Sequence, residues 1–374
     1  MRAHFLSQAR RLVMKIGSSI LAAPSTGLRL DHIQRLANEI GQLKRDKRDI
    51  ILVSSGAIVA GIEKLGLKAY PHTLPLKQAA ASAGQSRLLR TYENSFQEAG
   101  HNIAQVLLTH QDLTDRKRFL NARHTLTTLL ALGVIPVINE NDAVAVEEIR
   151  FGDNDTLAAQ VAHLVDADLL VILSDVDGLF TQDPRHHPDA TLIGEITDMT
   201  PDIERSAGRS RSQESRGGMV TKIQAAKLVG QYGLPTLLLN GETPGLVPRI
   251  FAGADGGTLF LPQGRKRHSR KHWIAGTLRS RGQLILDSGA VEALTHRGKS
   301  LLPSGILEVK GTFIAGDPVS CVDTGGKEFA RGLVNVSSVV VSAIKGRRTQ
   351  DIEREMGVQE YEEVIHRDNL ALLL

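Results

Sequence analysis

A chain of 374 residues is long enough for two domains, each with its own core, and 41% hydrophobic with 23% charged residues is the balance of an ordinary globular protein. A net charge of +4 permits anionic ligands without marking a nucleic-acid binder, and 4% aromatics leaves little for base-stacking platforms. The single Cys321 excludes an intrachain disulfide and a cysteine-built zinc site, and no apolar run approaches membrane-spanning length. Residues 1–30 hold arginines and one lysine but no acid; Lys15 and Gly17 break any signal-peptide core, so the expectation is a cytoplasmic protein whose first strand is Leu12–Ile16. Further apolar, β-rich runs follow at Ile50–Val53, Ile103–Leu108, Val134–Ile138, Leu169–Leu173 and Thr236–Leu239. Helical patterns lie between them at Asp31–Leu43, Gln85–Glu98, Arg118–Leu132, Thr156–Leu164 and Thr221–Tyr232. Strands alternating with helices predict a mostly parallel sheet covered on both faces.

The pattern changes after Phe260. Arg265–His272 is a dense basic run, read as a linker over 263–277. Beyond it, Gly282–Leu286, Gly305–Val309, Pro318–Val322 and Phe329–Val336 are short strands between Gly and Asp turns, a small mainly-β domain over 278–360 with 361–374 left as a tail. Residues 1–262 form the α/β domain.

Ligands of open α/β sheets gather outside the carboxyl ends of strands. Four strand exits carry polar turns suited to them. Lys15-Ile-Gly-Ser-Ser19 and Val53-Ser-Ser-Gly-Ala57 offer backbone N–H groups, and in the first an ammonium, to an anion. Val134–Ile138 empties into Asn139-Glu-Asn-Asp142, and Gly152-Asp-Asn-Asp155 opens the next helical pattern. Helix capping and Asx-turns favour the same residue types; two such clusters in succession favour a site. Ser174-Asp175 begins a turn placed to border a nucleotide, and Gly217-Gly-Met-Val-Thr-Lys222 opens a helix. A lysine at a helix N-terminus gains nothing from the dipole, so Lys222 calls for a phosphate or carboxylate partner. A Walker phosphate loop, a dinucleotide fingerprint, a hydrolase nucleophile elbow and a helical metal-site spacing are all missing.

Lys15-Ile-Gly-Ser-Ser, Ser54-Ser-Gly-Ala-Ile, Gly84-Gln, Arg118-Phe-Leu-Asn-Ala-Arg123, Asn139-Glu-Asn-Asp-Ala-Val, Gly152-Asp-Asn-Asp and Gly217-Gly-Met-Val-Thr-Lys together resemble the glutamate 5-kinase family, with the C-terminal part similar to a PUA domain. The resemblance implies an amino acid kinase-like three-layer sandwich. It implies transfer of phosphate from ATP, with Mg²⁺, to the γ-carboxylate of L-glutamate, giving L-glutamyl 5-phosphate as the first step of proline synthesis. On that resemblance Lys15 and Lys222 supply positive charge, Asp155 orients both, and Ser55, Asp142 and Asn154 hold glutamate, with Gly56 and Asp153 as weaker candidates. Lys15, Ser174, Asp175 and Arg216, Gly217, Gly218, Met219, Val220, Thr221 and Lys222 border ATP; no protein metal ligand is assigned. Feedback by proline through Gln111–Asn121, a homo-oligomer, and a partner glutamyl phosphate reductase follow from the same resemblance. Thr114–Arg118, read by charge alone, is an ordinary solvated helix start.

Two departures stand out. Ser215-Arg216 replaces the family's usual Gly-Thr before Gly217, and Gly-Ser-Ser replaces Gly-Thr-Ser in the first turn. Two rivals are a kinase acting on aspartate, acetylglutamate or a nucleoside monophosphate, and an RNA binder using Arg265–His272 and Lys345–Arg348. The first would not be expected to carry Asn139-Glu-Asn-Asp142; the second is weakened by the scarcity of interleaved aromatics.

Overall fold

The computed structural model describes residues 2–23, 27–145, 154–184, 186–200, 203, 218–262, 280–347, 351 and 363–373. The chain divides into two compact units, 1–264 and 265–374. The basic linker expected over 263–277 lies outside the described residues.

In the first unit the chain runs α1 (Arg2–Gln8), β1 (Arg11–Ile16), α2 (Ser18–Leu21), a two-stranded ribbon of β2 (Ala22–Ala23) and β3 (Gly27–Leu28), α3 (Leu30–Arg45) and β4 (Asp49–Val53). It continues through α4 (Ala57–Leu65), α5 (Leu74–Glu98), β5 (Ile103–Leu108), α6 (His110–Thr114), α7 (Arg116–Ala131), β6 (Ile135–Glu140) and α8 (Asn154–Leu164). Then come β7 (Leu169–Ser174), β8 (Glu195–Ile196), α9 (Met219–Gln231), β9 (Thr236–Asn240), α10 (Leu246–Phe251) and β10 (Thr258–Phe260).

The strands form an eight-stranded sheet in the order β5-β6-β4-β1-β7-β9-β10-β8. The six from β5 to β9 are parallel, and β10 runs antiparallel to β9. Strands buried on both faces read as continuous apolar runs because alternate side chains enter different layers. Leu12, Met14, Ile50, Leu52, Val171 and Leu173 pack with α3 and α5 on one face. Val13, Ile51, Val53, Leu170 and Ile172 pack with α8 and α9 on the other. The result is the expected three-layer sandwich. The chain leaves central β1 toward β4 and β6 and later returns to its other side as β7, so the exits of β1, β4, β6 and β7 border the switch point where such folds bind ligands.

The helices α1, α4, α6 and α10 are not among the expected patterns, and two expected elements have different bounds. Helix α5 starts eleven residues before the expected Gln85, with Pro75 in its first turn. Its first half is too rich in alanine to show an apolar stripe because it lies against α4 through small residues. A Cβ at Gly84 would stand 1.9 Å from the Ala57 carbonyl oxygen, and one at Gly61 1.8 Å from that of Ala80. Strand β6 runs on through Glu140, so Asn139 and Glu140 are buried strand residues rather than loop.

The second unit is a five-stranded sheet, β12-β11-β13-β14-β15. Its elements are β11 (Gly282–Leu286), α11 (Ser288–Thr295), β12 (Ile306–Gly311), β13 (Pro318–Val322), β14 (Glu328–Leu333), α12 (Ser338–Ile344) and β15 (Leu370–Leu372). Leu284, Leu286, Val319, Cys321 and Val341 fill its core. The segment left as a tail is part of this sheet: β15 pairs antiparallel with β14, and Val364 and Ile365 are buried. Three residues are too few to show strand alternation.

Candidate active site

The centre of the site is a buried carboxylate between two lysines. Lys15 is the fifth residue of β1, flanked by β4 and β7. Asp155 lies in the first turn of α8, and Lys222 in the first turn of α9. The Lys15 Nζ stands 2.6 Å from Asp155 Oδ1, and the Lys222 Nζ 3.4 Å from Oδ2. Thr221 donates its hydroxyl to Oδ2 at 2.8 Å. The partner that Lys222 needs against an unfavourable helix dipole is therefore Asp155. All three charged groups are at most 5% exposed. Burial alone would raise the Asp155 carboxyl, but attraction to Lys15 and then Lys222, with hydrogen bonds from Lys15 and Thr221, holds it below its ordinary value. Lys15, Asp155 and Lys222 together carry one net positive charge away from solvent, which suits an incoming anion.

Beside it lies an amide and hydroxyl network. Asn154, the first residue of α8, directs its side-chain amide to the Ser54 carbonyl, to Ser55 Oγ at 3.0 Å and to Asn139 Oδ1 at 3.0 Å. The Asn139 amide donates to Gln85 Oε1 on α5 at 3.0 Å. Ser54 Oγ lies 3.0 Å from the Tyr92 hydroxyl, also on α5. Burial pushes the Tyr92 phenol well above its usual range, the Ser54 bond pulling weakly the other way. After Ser55, Gly56 takes φ +93° and leads into the nine-residue α4, a left-handed turn that glycine adopts without strain. Two strand exits, those of β4 and β6, thus meet on Asn154, whose neighbour Asp155 joins both lysines.

The remaining candidates divide. Ser174 ends β7 and is buried, its hydroxyl on Asp175 Oδ1 at 3.0 Å, and Asp175 is exposed. Gly218 precedes α9, Met219 opens it, and Val220 is exposed. Asp142 sits in the turn after β6, three residues beyond Asn139. Asp153, Arg216 and Gly217, and with them the Ser215-Arg216 departure, lie outside the described residues. Within Gln111–Asn121, Asp112 forms a capping box on α6 with the preceding Thr109, and Arg118 pairs with Asp112 at 2.9 Å. Sequence reasoning missed Tyr92, which a helix pattern alone reads as core, and gave Thr221 no contact with Asp155.

Residues 10–240 match the model of the amino acid kinase family, and residues 282–356 match that of the PUA domain. The chain belongs to the amino acid kinase family and carries a C-terminal PUA domain. At the level of individual relatives it is similar to proteins named glutamate 5-kinase. Those of Geobacter sulfurreducens and Geobacter metallireducens are 50% and 51% identical over 373 residues, covering 100% of both chains in each case. That of Moorella thermoacetica is 50% identical over 368 residues, covering 98% of this chain and 97% of its own. Among the described residues no helix is long and apolar enough to cross a membrane.

Proposed function

We propose that this protein transfers the γ-phosphoryl group of ATP to the γ-carboxylate of L-glutamate, giving L-glutamyl 5-phosphate and ADP in the cytoplasm as the first step of proline synthesis. The observation that carries the reading is the Lys15–Asp155–Lys222 arrangement beside the Asn154 network. The full-length relatives named glutamate 5-kinase support the choice of substrate.

The acceptor carboxylate, with a reference pKa of about 4.3, is already an ionised nucleophile at neutral pH and needs no general base. Catalysis reduces to holding donor and acceptor in line and neutralising the charge on the transferred group. Lys15 and Lys222 supply that charge. Asp155 sets their ammonium positions and takes no proton, since its carboxyl is held low between them. Ser55 and Asn154 hold glutamate at the β4 and α8 ends, and Asp142 faces its α-ammonium. Ser174, Asp175 and the start of α9 border the nucleotide, with Arg216 and Gly217 completing that loop. Mg²⁺ would neutralise phosphate charge when bound. Among the described residues no three His, Cys, Asp or Glu converge on a cation site, so phosphate oxygens and water would supply most of its ligands.

Inhibition by proline near the glutamate site, assembly into a homo-oligomer and delivery of the labile product to a glutamyl phosphate reductase belong to the same reading. RNA contact by the PUA domain is a separate property compatible with it. The test is ATP-dependent acyl-phosphate formation, trapped as a hydroxamate, from glutamate, aspartate and acetylglutamate, with and without proline. Turnover on glutamate alone, abolished by Lys222→Ala and reduced by proline, is expected. No turnover on any of the three by folded protein with Mg²⁺ would sink it.

A further inference from the structure

A charged cluster outside the lysine–aspartate centre ties the turn after β1 to the exit of β9. Arg29, the residue before α3, donates from Nη1 to the Ser19 carbonyl at 3.2 Å and to Glu242 Oε1 at 2.6 Å. The Glu242 backbone N–H donates to Asn240 Oδ1 at 2.8 Å, and the Asn240 amide donates to Asp177 Oδ1 at 2.8 Å, in the turn after β7. Arg35, two turns into α3, donates to the Gly241 carbonyl at 2.8 Å and lies 3.7 Å from Glu39, which accepts from the Gly245 N–H at 2.8 Å. One face of α3 therefore holds the Gly17–Ser19 turn, the β9 exit and, through Asn240, the β7 exit in fixed register.

His32 stands between the two guanidiniums. Its Nε2 is 2.5 Å from Arg29 Nη2, and its Nδ1 is 3.5 Å from Arg35 Nη2. Beside it lie Arg29, Arg35 and Asp31 of the α3 segment and Glu242 of the β9–α10 loop; Asp31 is 84% exposed and 3.9 Å away. A guanidinium only donates, so Arg29 requires a lone pair on Nε2. An imidazolium would present a donor to a donor and a third positive charge between two others. Burial first, then Arg29 and Arg35, hold the imidazole below its ordinary value, against the weaker pull of Asp31 and Glu242.

We propose that Arg29 is a positioning residue for the nucleotide-phosphate turn Gly17–Ser19, and that it holds this turn only while His32 is neutral. The inference rests on the proposed kinase reading, in which this turn, suited to an anion, takes the phosphates of ATP. Acidification charges His32, displaces Arg29 from Ser19 and Glu242, and weakens the nucleotide subsite while leaving the Asn154 network in place. His32 acts through Arg29 and is not a catalytic residue.

The experiment is calorimetric titration of the full chain with ADP and with a non-hydrolysable ATP analogue, both with Mg²⁺, between pH 5.5 and 8, alongside KM values for ATP and glutamate. Nucleotide affinity of the parent chain is expected to fall as pH drops, at least about threefold across the acid limb, the sign that proton linkage sets for a group that must be neutral to bind. His32→Gln, neutral at every pH, should flatten that limb relative to the parent. Arg29→Ala should raise KM for ATP with little change for glutamate, and Arg29→Lys should restore it only in part, lacking the fork. Superimposable pH profiles for parent and His32→Gln, with both folded by circular dichroism, would overturn the proposal. So would equal effects of Arg29→Ala on both KM values. If glutamate proves not to be the acceptor, the calorimetric arm still reads the nucleotide subsite, so that failure stays distinguishable from this one.

Discussion

Thr221 gives its hydroxyl proton to the same Asp155 oxygen that Lys222 approaches, at 2.8 Å, so one carboxylate fixes both the start of α9 and its lysine. The Thr221 backbone N–H donates to the Gly218 carbonyl at 3.2 Å, closing the first turn of that helix. Asp155 is thus an assembly point for β1, α8 and α9 as well as an electrostatic balance. Asp155→Asn keeps the shape but removes the negative charge between the two lysines, and kcat should fall by about a hundredfold or more, the scale of losing a buried electrostatic group. Thr221→Val removes one donor while leaving both ion pairs, and about tenfold is expected. Equal losses in the two variants would show that the hydroxyl, not the charge, governs activity.

The same carboxylate sets an acid limit on stability. Its folded value is depressed, so its contribution is fully present above the unfolded value, near 3.8, and is lost as pH falls through the folded one. Asp155→Asn should therefore be less stable than the parent at neutral pH, with the gap closing as pH drops below 3.8. At that point the protonated acid and the amide are near equivalents. Denaturant midpoints by circular dichroism at pH 7 and pH 3 measure the gap. An unchanged difference would mean that the two ion pairs do not stabilise the fold.

Asn154 joins Ser54, Ser55 and Asn139 through a single amide. Replacing it with alanine removes the junction between the β4 and β6 exits while Lys15 and Lys222 keep Asp155. KM for glutamate should rise about tenfold, the effect of one or two lost polar contacts, with KM for ATP within a factor of two. Steady-state kinetics with each substrate varied separately decides it; a selective rise in KM for ATP would reassign Asn154 to the nucleotide.

Much of this site was legible because strand exits declare themselves. Lys15 lies at the end of an apolar run that stops abruptly, while Asn154, Asp155 and Lys222 follow glycine-containing turns at the starts of helical patterns. Other features stayed hidden for physical reasons. Lys222 showed that a partner was needed but not which one, since Asp155 reaches it only through sheet order. The first half of α5 carries no apolar stripe because glycine and alanine, not leucine, form its contact with α4. Tyr92 faces Ser54 with its hydroxyl while its ring packs in the core, a double role that helical spacing cannot separate. Residues 370–372 join their sheet across a distance in sequence that no local pattern reports.

The α4–α5 contact gives a stability test with an internal contrast. A Cβ at Gly84 would meet backbone, 1.9 Å from the Ala57 carbonyl oxygen and 2.3 Å from the Gly61 nitrogen, so Gly84→Ala must part the helices. A cost of about 3 kcal/mol or more is expected, at the upper end for overpacking. Gly230, inside α9, has open space around the same added atom. Gly230→Ala should stabilise by about 0.4–1 kcal/mol through the reduced freedom of the unfolded chain. Thermal melts of the two variants should move in opposite directions. A shift of the same sign in both would leave the close approach of α4 and α5 without energetic weight.

Cys321 offers a probe of the second unit. It lies on β13, fully buried, and burial, with a smaller push from Glu328, raises its thiol to about 12. The reactive species is the thiolate, which is scarce in the folded protein at pH 8 and shielded from reagent. Labelling with a disulfide exchange reagent should therefore wait for β13 to open, at a rate that follows unfolding of this sheet. In a guanidinium series, thiol exposure should track loss of the second unit's structure, even where activity, set by the first unit, is lost at a different concentration. Complete labelling within the mixing time in native buffer would mean that β13 opens freely and that the packing around Val319, Cys321 and Val341 contributes little to holding this sheet closed.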